Sequence, residues 1–100
     1  MAHYDKLVRD KIPEFLDSKN IPYESRVLDE DGYKSELVIK LEEELNEFKT
    51  DLSVEELADI IEVIEALKKL PEYQSVEGVR MQKLEEKGGF EKRLKVKGEK

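Results

Sequence analysis

Two helical stretches separated by a short break occupy the sequence between residues 36 and 70. In the first stretch, apolar residues recur at the spacing of one helix face, at Leu37, Leu41, Leu45 and Phe48. The pattern breaks at residues 50–52, and Ser53 is a residue type that caps the start of a helix. In the second stretch, residues 54–70, apolar positions cover more than half of the helix circumference, which is typical of a largely buried helix. The sequence therefore predicts a helix hairpin at the centre of the fold.

Two acidic residues, Glu56 and Asp59, fall between apolar positions on the wheel of the second helix. Glu44 and Glu47 form a matching pair beside the apolar stripe of the first helix, and both pairs are spaced i, i+3. If the helices run antiparallel, Glu47 faces Glu56 near the turn. Glu44 then faces Asp59 one turn deeper. Carboxylates this close cannot all ionise without a cation, and hard oxygen ligands favour Mg²⁺, Mn²⁺ or Ca²⁺.

Interpretations without a metal account for some of these acids. Ser53-x-x-Glu56 also fits a capping box, in which the glutamate reaches back to the start of its own helix. Glu44 and Glu47 could be solvated residues on the flank of an acidic helix. Asp59 is harder to explain in this way, because aspartate forms helices poorly and lies mid-helix on the apolar side. Spacing alone leaves the metal site and these alternatives open.

The acidic pattern belongs to a longer set of motifs. Residues 43–47, EELNE, followed by residues 56–59, ELAD, resemble the EExxE…ExxD signature of the MazG-like, all-α nucleoside triphosphate pyrophosphohydrolases. Residues 6–13, KLVRDKIP, and residues 87–93, KGGFEKR, resemble segments of its phosphoribosyl-ATP pyrophosphohydrolase-like branch of predicted house-cleaning enzymes. The resemblance spans nearly the whole sequence in the expected order and implies a single MazG-like helical domain. The connection at residues 48–55 is shorter than in many relatives, so the substrate is less closely defined than the fold.

The resemblance implies an activity and the residues that carry it. The reaction is Mg²⁺-dependent hydrolysis of a nucleoside triphosphate to the monophosphate and pyrophosphate, with Mn²⁺ as an alternative metal and the clearance of noncanonical nucleotides as a role. The expected metal ligands are Glu44, Glu47, Glu56 and Asp59, and Glu43 or one of these four would assist the attacking water. The residues expected to contact phosphate are Lys6, Arg9, Lys11, Lys92 and Arg93. Two alternatives are hydrolysis of phosphoribosyl-ATP and a helical module without catalysis that dimerises or binds a partner protein.

The composition of the chain limits its partners. Its 25 acidic and 18 basic residues give a net charge of −7, which argues against nonspecific binding of nucleic acid. There is no cysteine, the single histidine (His3) is not expected to be a ligand or base, and no apolar run approaches the roughly 18 residues of a membrane span. With no signal peptide visible, we expect a cytoplasmic protein of one domain, residues 1–100. Because the apolar arc at residues 54–70 is wider than so short a chain can cover, we also expect an oligomer, with a dimer favoured.

The rest of the chain predicts short elements around the hairpin. We expect a helix over residues 10–20, a last helix over residues 75–86, and a start near Tyr33 for the first hairpin helix. Residues 23–28 and 90–96 combine rough alternation with β-branched and aromatic side chains, which favours a short two-stranded β element. The expected fold is mainly α, with about four helices around a central antiparallel helix hairpin.

Overall fold

Four α-helices make up most of the computed structural model, which describes residues 5–99. They are α1 (Ile12–Ser18), α2 (Glu30–Thr50), α3 (Val54–Lys68) and α4 (Val76–Lys87), with a turn of 3₁₀ helix at Pro71–Tyr73 between the last two. The prediction of a mainly α fold with about four helices is confirmed. No helix in residues 5–99 is both long and apolar enough to cross a membrane. His3 lies outside the described residues.

A side-chain cap sets the start of α2. The Asp29 carboxylate accepts a hydrogen bond from the Gly32 N–H at 2.8 Å, and aspartate is a preferred residue at this position. The helix therefore begins at Glu30, earlier than the start near Tyr33 that the apolar pattern suggested. The added turn carries acidic residues at the positive end of the helix dipole, where they are favourable.

The predicted hairpin is present, and α2 and α3 pack against each other across the short turn at residues 51–53. Its facing surfaces bury Leu37 of α2 and Val63 of α3, which are 2% and 8% exposed. Glu44, on the same face of α2, is 6% exposed. No other apolar side chain in residues 5–99 is buried to this extent, so the seam between the two helices is the core of the fold.

The N-terminal segment crosses one side of the hairpin before α1 begins. Lys6 forms an ion pair with α2 and Arg9 forms one with α3. Pro13 then occupies the first turn of α1, where a missing N–H costs nothing. An open cleft of about 720 Å³ lies between this segment, α1 and residues 23–28. The segment thus ties both hairpin helices together on one side.

The prediction of a short β element at residues 23–28 and 90–96 is wrong, because residues 5–99 contain no strand. Both segments are irregular and largely exposed, with Val27 99% and Phe90 98% accessible. Arg93 has a φ of 58° and donates its N–H to the Phe90 carbonyl, so the second segment turns where a strand would continue. A single pair of strands is marginal in water unless it packs on another surface, and residues 23–27 and 90–96 are exposed.

The described chain is more extended than a compact domain of its length. Its Cα radius of gyration is 17.9 Å, whereas a compact domain of 100 residues has about 13 Å. α4 packs little against the hairpin, and its apolar residues Val79, Met81 and Leu84 stay about half exposed. A single chain therefore leaves much of its apolar surface uncovered.

Candidate metal centre

Three carboxylates from the two hairpin helices converge at the seam. Glu44 comes from α2, whereas Glu56 and Asp59 lie one turn apart on α3, and one oxygen of each lies within 4.8 Å of the other two. Oxygens on opposite sides of a six-coordinate Mg²⁺ are about 4.2 Å apart, so small side-chain rotations would bring all three onto one ion. The structure thus brings together three of the predicted ligands, and their donor atoms are those that a hard cation prefers.

Two of these carboxylates have a buried oxygen without a hydrogen-bond partner. Glu44 Oε2 and Glu56 Oε2 are inaccessible to solvent and accept no hydrogen bond from any described residue. Burying an ionised carboxylate is unfavourable unless a donor or a cation meets it. A divalent cation between the helices would satisfy both oxygens, so the residues fit the metal that the motif resemblance implies.

The capping-box interpretation of Glu56 holds only in part. The Ser53 hydroxyl accepts a hydrogen bond from the Glu56 N–H at 3.2 Å, as a capping box requires. The return bond is absent, because the Ser53 N–H donates to the Asp51 carbonyl at 2.7 Å. Capping therefore explains a preference for serine at position 53 but leaves the Glu56 carboxylate unused.

Glu44 is the acid most affected by its surroundings. Burial raises the pKa of Glu44 above its ordinary value of 4.5, and the neighbouring Glu47 carboxylate raises it further, while Lys40 opposes both effects. Glu47 itself is exposed and is not one of the three residues whose oxygens converge. The structure thus places Glu47 beside the cluster, next to Glu44.

Two of the predicted phosphate-binding residues contact carboxylates of the hairpin. Lys6 Nζ lies 2.8 Å from Glu43 Oε1, and Arg9 Nη2 lies 2.7 Å from Asp59 Oδ1. The hydrogen bond from Lys6 lowers the pKa of Glu43, which makes this carboxylate a weaker base than an unpaired one. Glu43 is therefore less suited to assist a water than the sequence alone indicated.

Lys40 is a part of the site that the motif did not include. Its Nζ lies 3.4 Å from Glu44 Oε1 and 3.5 Å from Glu43 Oε1, and its side chain is only 17% exposed. The spacing of Lys40 to these glutamates, i, i+3 and i, i+4 on one helix, was the available signal. Its ammonium group offsets part of the negative charge at the seam.

A cleft of about 460 Å³, which we call the hairpin cleft, is lined by two of the three carboxylates, those of Glu44 and Asp59. Its walls are residues 7–11 of the N-terminal segment and the seam of the hairpin, including Tyr33, Glu44 and Asp59. Lys11, a predicted phosphate-binding residue, lines it, as does Lys69, which sequence reasoning did not single out. The cleft therefore combines the acidic cluster with cationic side chains.

Lys92 and Arg93 lie far along the chain in the exposed segment after α4. Within residues 5–99 neither side chain forms an ion pair or hydrogen bond, and neither lines the hairpin cleft. The structure does not bring these two predicted phosphate-binding residues to the acidic cluster.

Comparison of this chain with protein-family models, with curated proteins and with solved structures finds no match. The interpretation of the site therefore depends on its own residues and on the motifs at residues 6–13, 43–47, 56–59 and 87–93.

Proposed function

We propose that this chain is a Mg²⁺-dependent nucleoside triphosphate pyrophosphohydrolase of the MazG-like type. The observation that carries the proposal is the pair of buried, unpartnered carboxylate oxygens of Glu44 and Glu56, which converge with Asp59 between two helices. Acids that serve only solubility would point into solvent. The motif resemblance adds the reaction, hydrolysis of a nucleoside triphosphate to the monophosphate and pyrophosphate, and a role in clearing noncanonical nucleotides.

Glu44, Glu56 and Asp59 would hold the metal, and Glu47, beside Glu44, is the fourth proposed ligand. A bound Mg²⁺ supplies neutralisation of the phosphate charge and lowers the pKa of a bound water. In the reaction, the water oxygen bonds to the α-phosphorus, and the bond from that phosphorus to the pyrophosphate oxygen breaks. A carboxylate near the site takes the proton of the water, and Glu43 is less suited to this task because it is paired with Lys6.

The hairpin cleft is the proposed substrate site. Its volume of about 460 Å³ lies within the range of about 300–1,000 Å³ that is usual for small-molecule sites. It places cationic side chains, which bind phosphate, beside the carboxylates that would bind the metal. Tyr33 in its wall offers an aromatic ring that suits contact with a nucleobase.

The proposed enzyme is a dimer that forms through the side of the hairpin opposite the N-terminal segment. Val38 and Leu45 of α2 lie on this side, as do Leu57 and Ile64 of α3; each is between 41% and 52% exposed. We call these residues the bare side. On helical wheels, both pairs are displaced in the same sense from the buried Leu37 and Val63, so in an antiparallel pair they form one continuous surface. A second copy of this chain would cover it, which is consistent with the extended shape of the single chain.

A metal titration with a substrate screen tests the proposal. Mg²⁺ or Mn²⁺ is expected to raise the melting temperature well above NaCl of equal ionic strength, because a ligand at one hundred times its Kd adds about 2.7 kcal/mol of stability. Pyrophosphate release from standard, deoxy and damaged nucleoside triphosphates, measured with Mg²⁺ present, would identify the preferred substrate. No stabilisation by either metal and no release from any substrate would reject the enzyme.

A helical binding module without catalysis is the second candidate. It is favoured by the half-exposed bare side and by the Arg9–Asp59 ion pair, which satisfies one acid without a metal. This candidate predicts dimerisation or partner binding that is indifferent to Mg²⁺. The metal titration therefore separates the two functions.

A further inference from the structure

Charged side chains of both signs line the hairpin cleft in equal number. The cations are Arg9, Lys11, Lys40 and Lys69, and the anions are Asp10, Glu44, Asp59 and Glu62. A cleft with balanced charge gives little electrostatic attraction to a polyanion. Once Glu44 and Asp59 ligate a divalent cation, the positive charge of the cleft exceeds its negative charge.

Arg9 is the cation whose partner would change most. Its guanidinium lies 2.7 Å from Asp59, which is one of the three converging acids. Its side chain is 58% exposed and lies in the irregular segment before α1, so it can turn without disturbing a helix. A guanidinium and a divalent cation repel each other and compete for the same carboxylate. Metal binding at Asp59 is therefore expected to weaken the contact between Arg9 and this carboxylate.

Lys40 differs from Arg9 in this respect. Its ammonium is nearly buried between Glu43 and Glu44, and Glu43 remains its partner whether or not Glu44 binds a metal. Lys11 and Lys69 are exposed on opposite walls of the cleft, at the N-terminal segment and at the end of α3. Neither lysine forms an ion pair with another residue in 5–99, so both can meet an anion in the cleft, which Arg9 also lines.

We propose that Arg9 exchanges partners, pairing with Asp59 in the metal-free protein and binding the phosphate groups of the substrate, with Lys11 and Lys69, once Asp59 is a metal ligand. This inference rests on the proposed function, because it requires a metal at the carboxylates. The guanidinium suits both partners, since its planar pair of donors matches carboxylate and phosphate equally well. The hairpin cleft is then a polyphosphate site only in the metal-loaded protein.

Calorimetric titration of Arg9→Gln with Mn²⁺ alone tests whether the Arg9–Asp59 ion pair of the metal-free protein competes with the metal. Removing the competing guanidinium is expected to tighten Mn²⁺ binding about threefold, which is the scale of one exposed ion pair. Arg26→Gln is the matched control, because Arg26 also faces an aspartate, at 3.8 Å from Asp5, but lies outside the hairpin cleft. Its Mn²⁺ affinity should equal that of the wild type.

Titration with inorganic tripolyphosphate tests whether Arg9 binds phosphate groups in the metal-loaded protein. The wild type is expected to bind tripolyphosphate when Mn²⁺ is saturating and not in its absence, and Arg9→Gln should weaken this binding about tenfold, the scale of a charge-assisted hydrogen bond. Arg9→Lys should restore the Mn²⁺ affinity of the wild type but only part of the tripolyphosphate binding, since lysine lacks the planar pair of donors.

Unchanged Mn²⁺ affinity in Arg9→Gln, or unchanged tripolyphosphate binding, would overturn the exchange. If both proteins bind Mn²⁺ equally and release pyrophosphate at the same rate, the exchange alone is rejected and the enzyme stands. If the wild type binds no Mn²⁺, the proposed function fails and the exchange fails with it.

Discussion

The seam of the α2–α3 hairpin and its bare side lie on the same two helices, yet each lacks a different kind of partner. At the seam, Glu44 is 6% exposed and has an oxygen with no hydrogen-bond donor. On the bare side, Leu45 and Leu57 are about half exposed to water. The first arrangement is unfavourable because charge is buried, and the second because apolar surface is hydrated.

The difference indicates two separate partners. Apolar residues in place of the buried acids at the seam would give a more stable single chain. Polar residues in place of the exposed apolar residues on the bare side would do the same. The stability of one chain therefore explains neither the buried acids nor the exposed apolar residues. A cation would relieve the seam without changing the bare side. A second copy would cover the bare side without supplying charge to the seam. Substitutions on each surface should therefore have separable effects.

The largest expected effect is that of Asp59→Asn on catalysis. The amide keeps the size of the side chain but is a weaker ligand for a hard cation, so pyrophosphate release should fall about a hundredfold. Glu62→Gln is the control, since Glu62 lines the same cleft and lies on the same helix but is not one of the converging acids. It should lose at most a small part of the activity. A fully active Asp59→Asn protein, or equal small losses in both, would remove the metal function from the seam.

The next largest expected effect is the loss of dimerisation when charge is placed on the bare side. Leu45→Lys combined with Leu57→Lys places charge in the proposed dimer contact and should weaken dimerisation by about tenfold or more. Light scattering after size-exclusion chromatography should then give 11.7 kDa, half the mass expected of the wild type. Val27→Lys combined with Leu94→Lys is the control, because these residues are 99% and 78% exposed and lie outside the hairpin. A wild-type mass of 11.7 kDa at micromolar concentration would contradict the dimer itself.

The smallest effect is on the stability of the metal-free protein. Glu44→Gln removes a buried charge, and at pH 7 it should raise the free energy of unfolding by about 1 kcal/mol, or the melting temperature by about 4–8 °C. Folding raises the pKa of Glu44, so its contribution to stability is full below pH 4.5 and is lost as the pH rises through the raised pKa. Wild type and variant should therefore melt alike at pH 4 and separate toward pH 7.

Thermal melts in chelator at the two pH values check this prediction, with exposed Glu42→Gln on the same helix as the control. Added Mg²⁺ should reverse the order of the melting temperatures, because only the wild type keeps all of its ligands. A variant that is less stable than the wild type at pH 7 without metal would show that the Glu44–Lys40 ion pair outweighs the cost of burial.

The hairpin and three of its four predicted ligands could be predicted from the sequence because both depend on short-range patterns. Apolar periodicity and the Ser53 cap define the two helices, and a short turn then forces them to pack antiparallel. That packing is sufficient to bring Glu44 to Glu56 and Asp59. The start of α2 was placed too late because Asp29, a preferred cap, precedes the first strongly periodic residues.

Other features depend on contacts between distant parts of the chain, which periodicity does not contain. Lys6 meets Glu43 and Arg9 meets Asp59 across 37 and 50 residues, and nothing local specifies either ion pair. The prediction of a β element was wrong for the same reason, since alternation in a short segment does not show whether a second segment will lie beside it. Residues 90–96 instead turn at Arg93.

The short turn at residues 51–53 also has a mechanical consequence. If the two helices bend apart about this turn, the displacement of each residue of α3 is proportional to its distance from the turn. Each residue adds about 1.5 Å to that distance. Asp59 lies about a third of the way from Val54 to Lys68, so it moves only about a third as far as the open end. The acids thus lie near the turn, where thermal bending of the hairpin changes the spacing of the ligand oxygens less than it would at the open end.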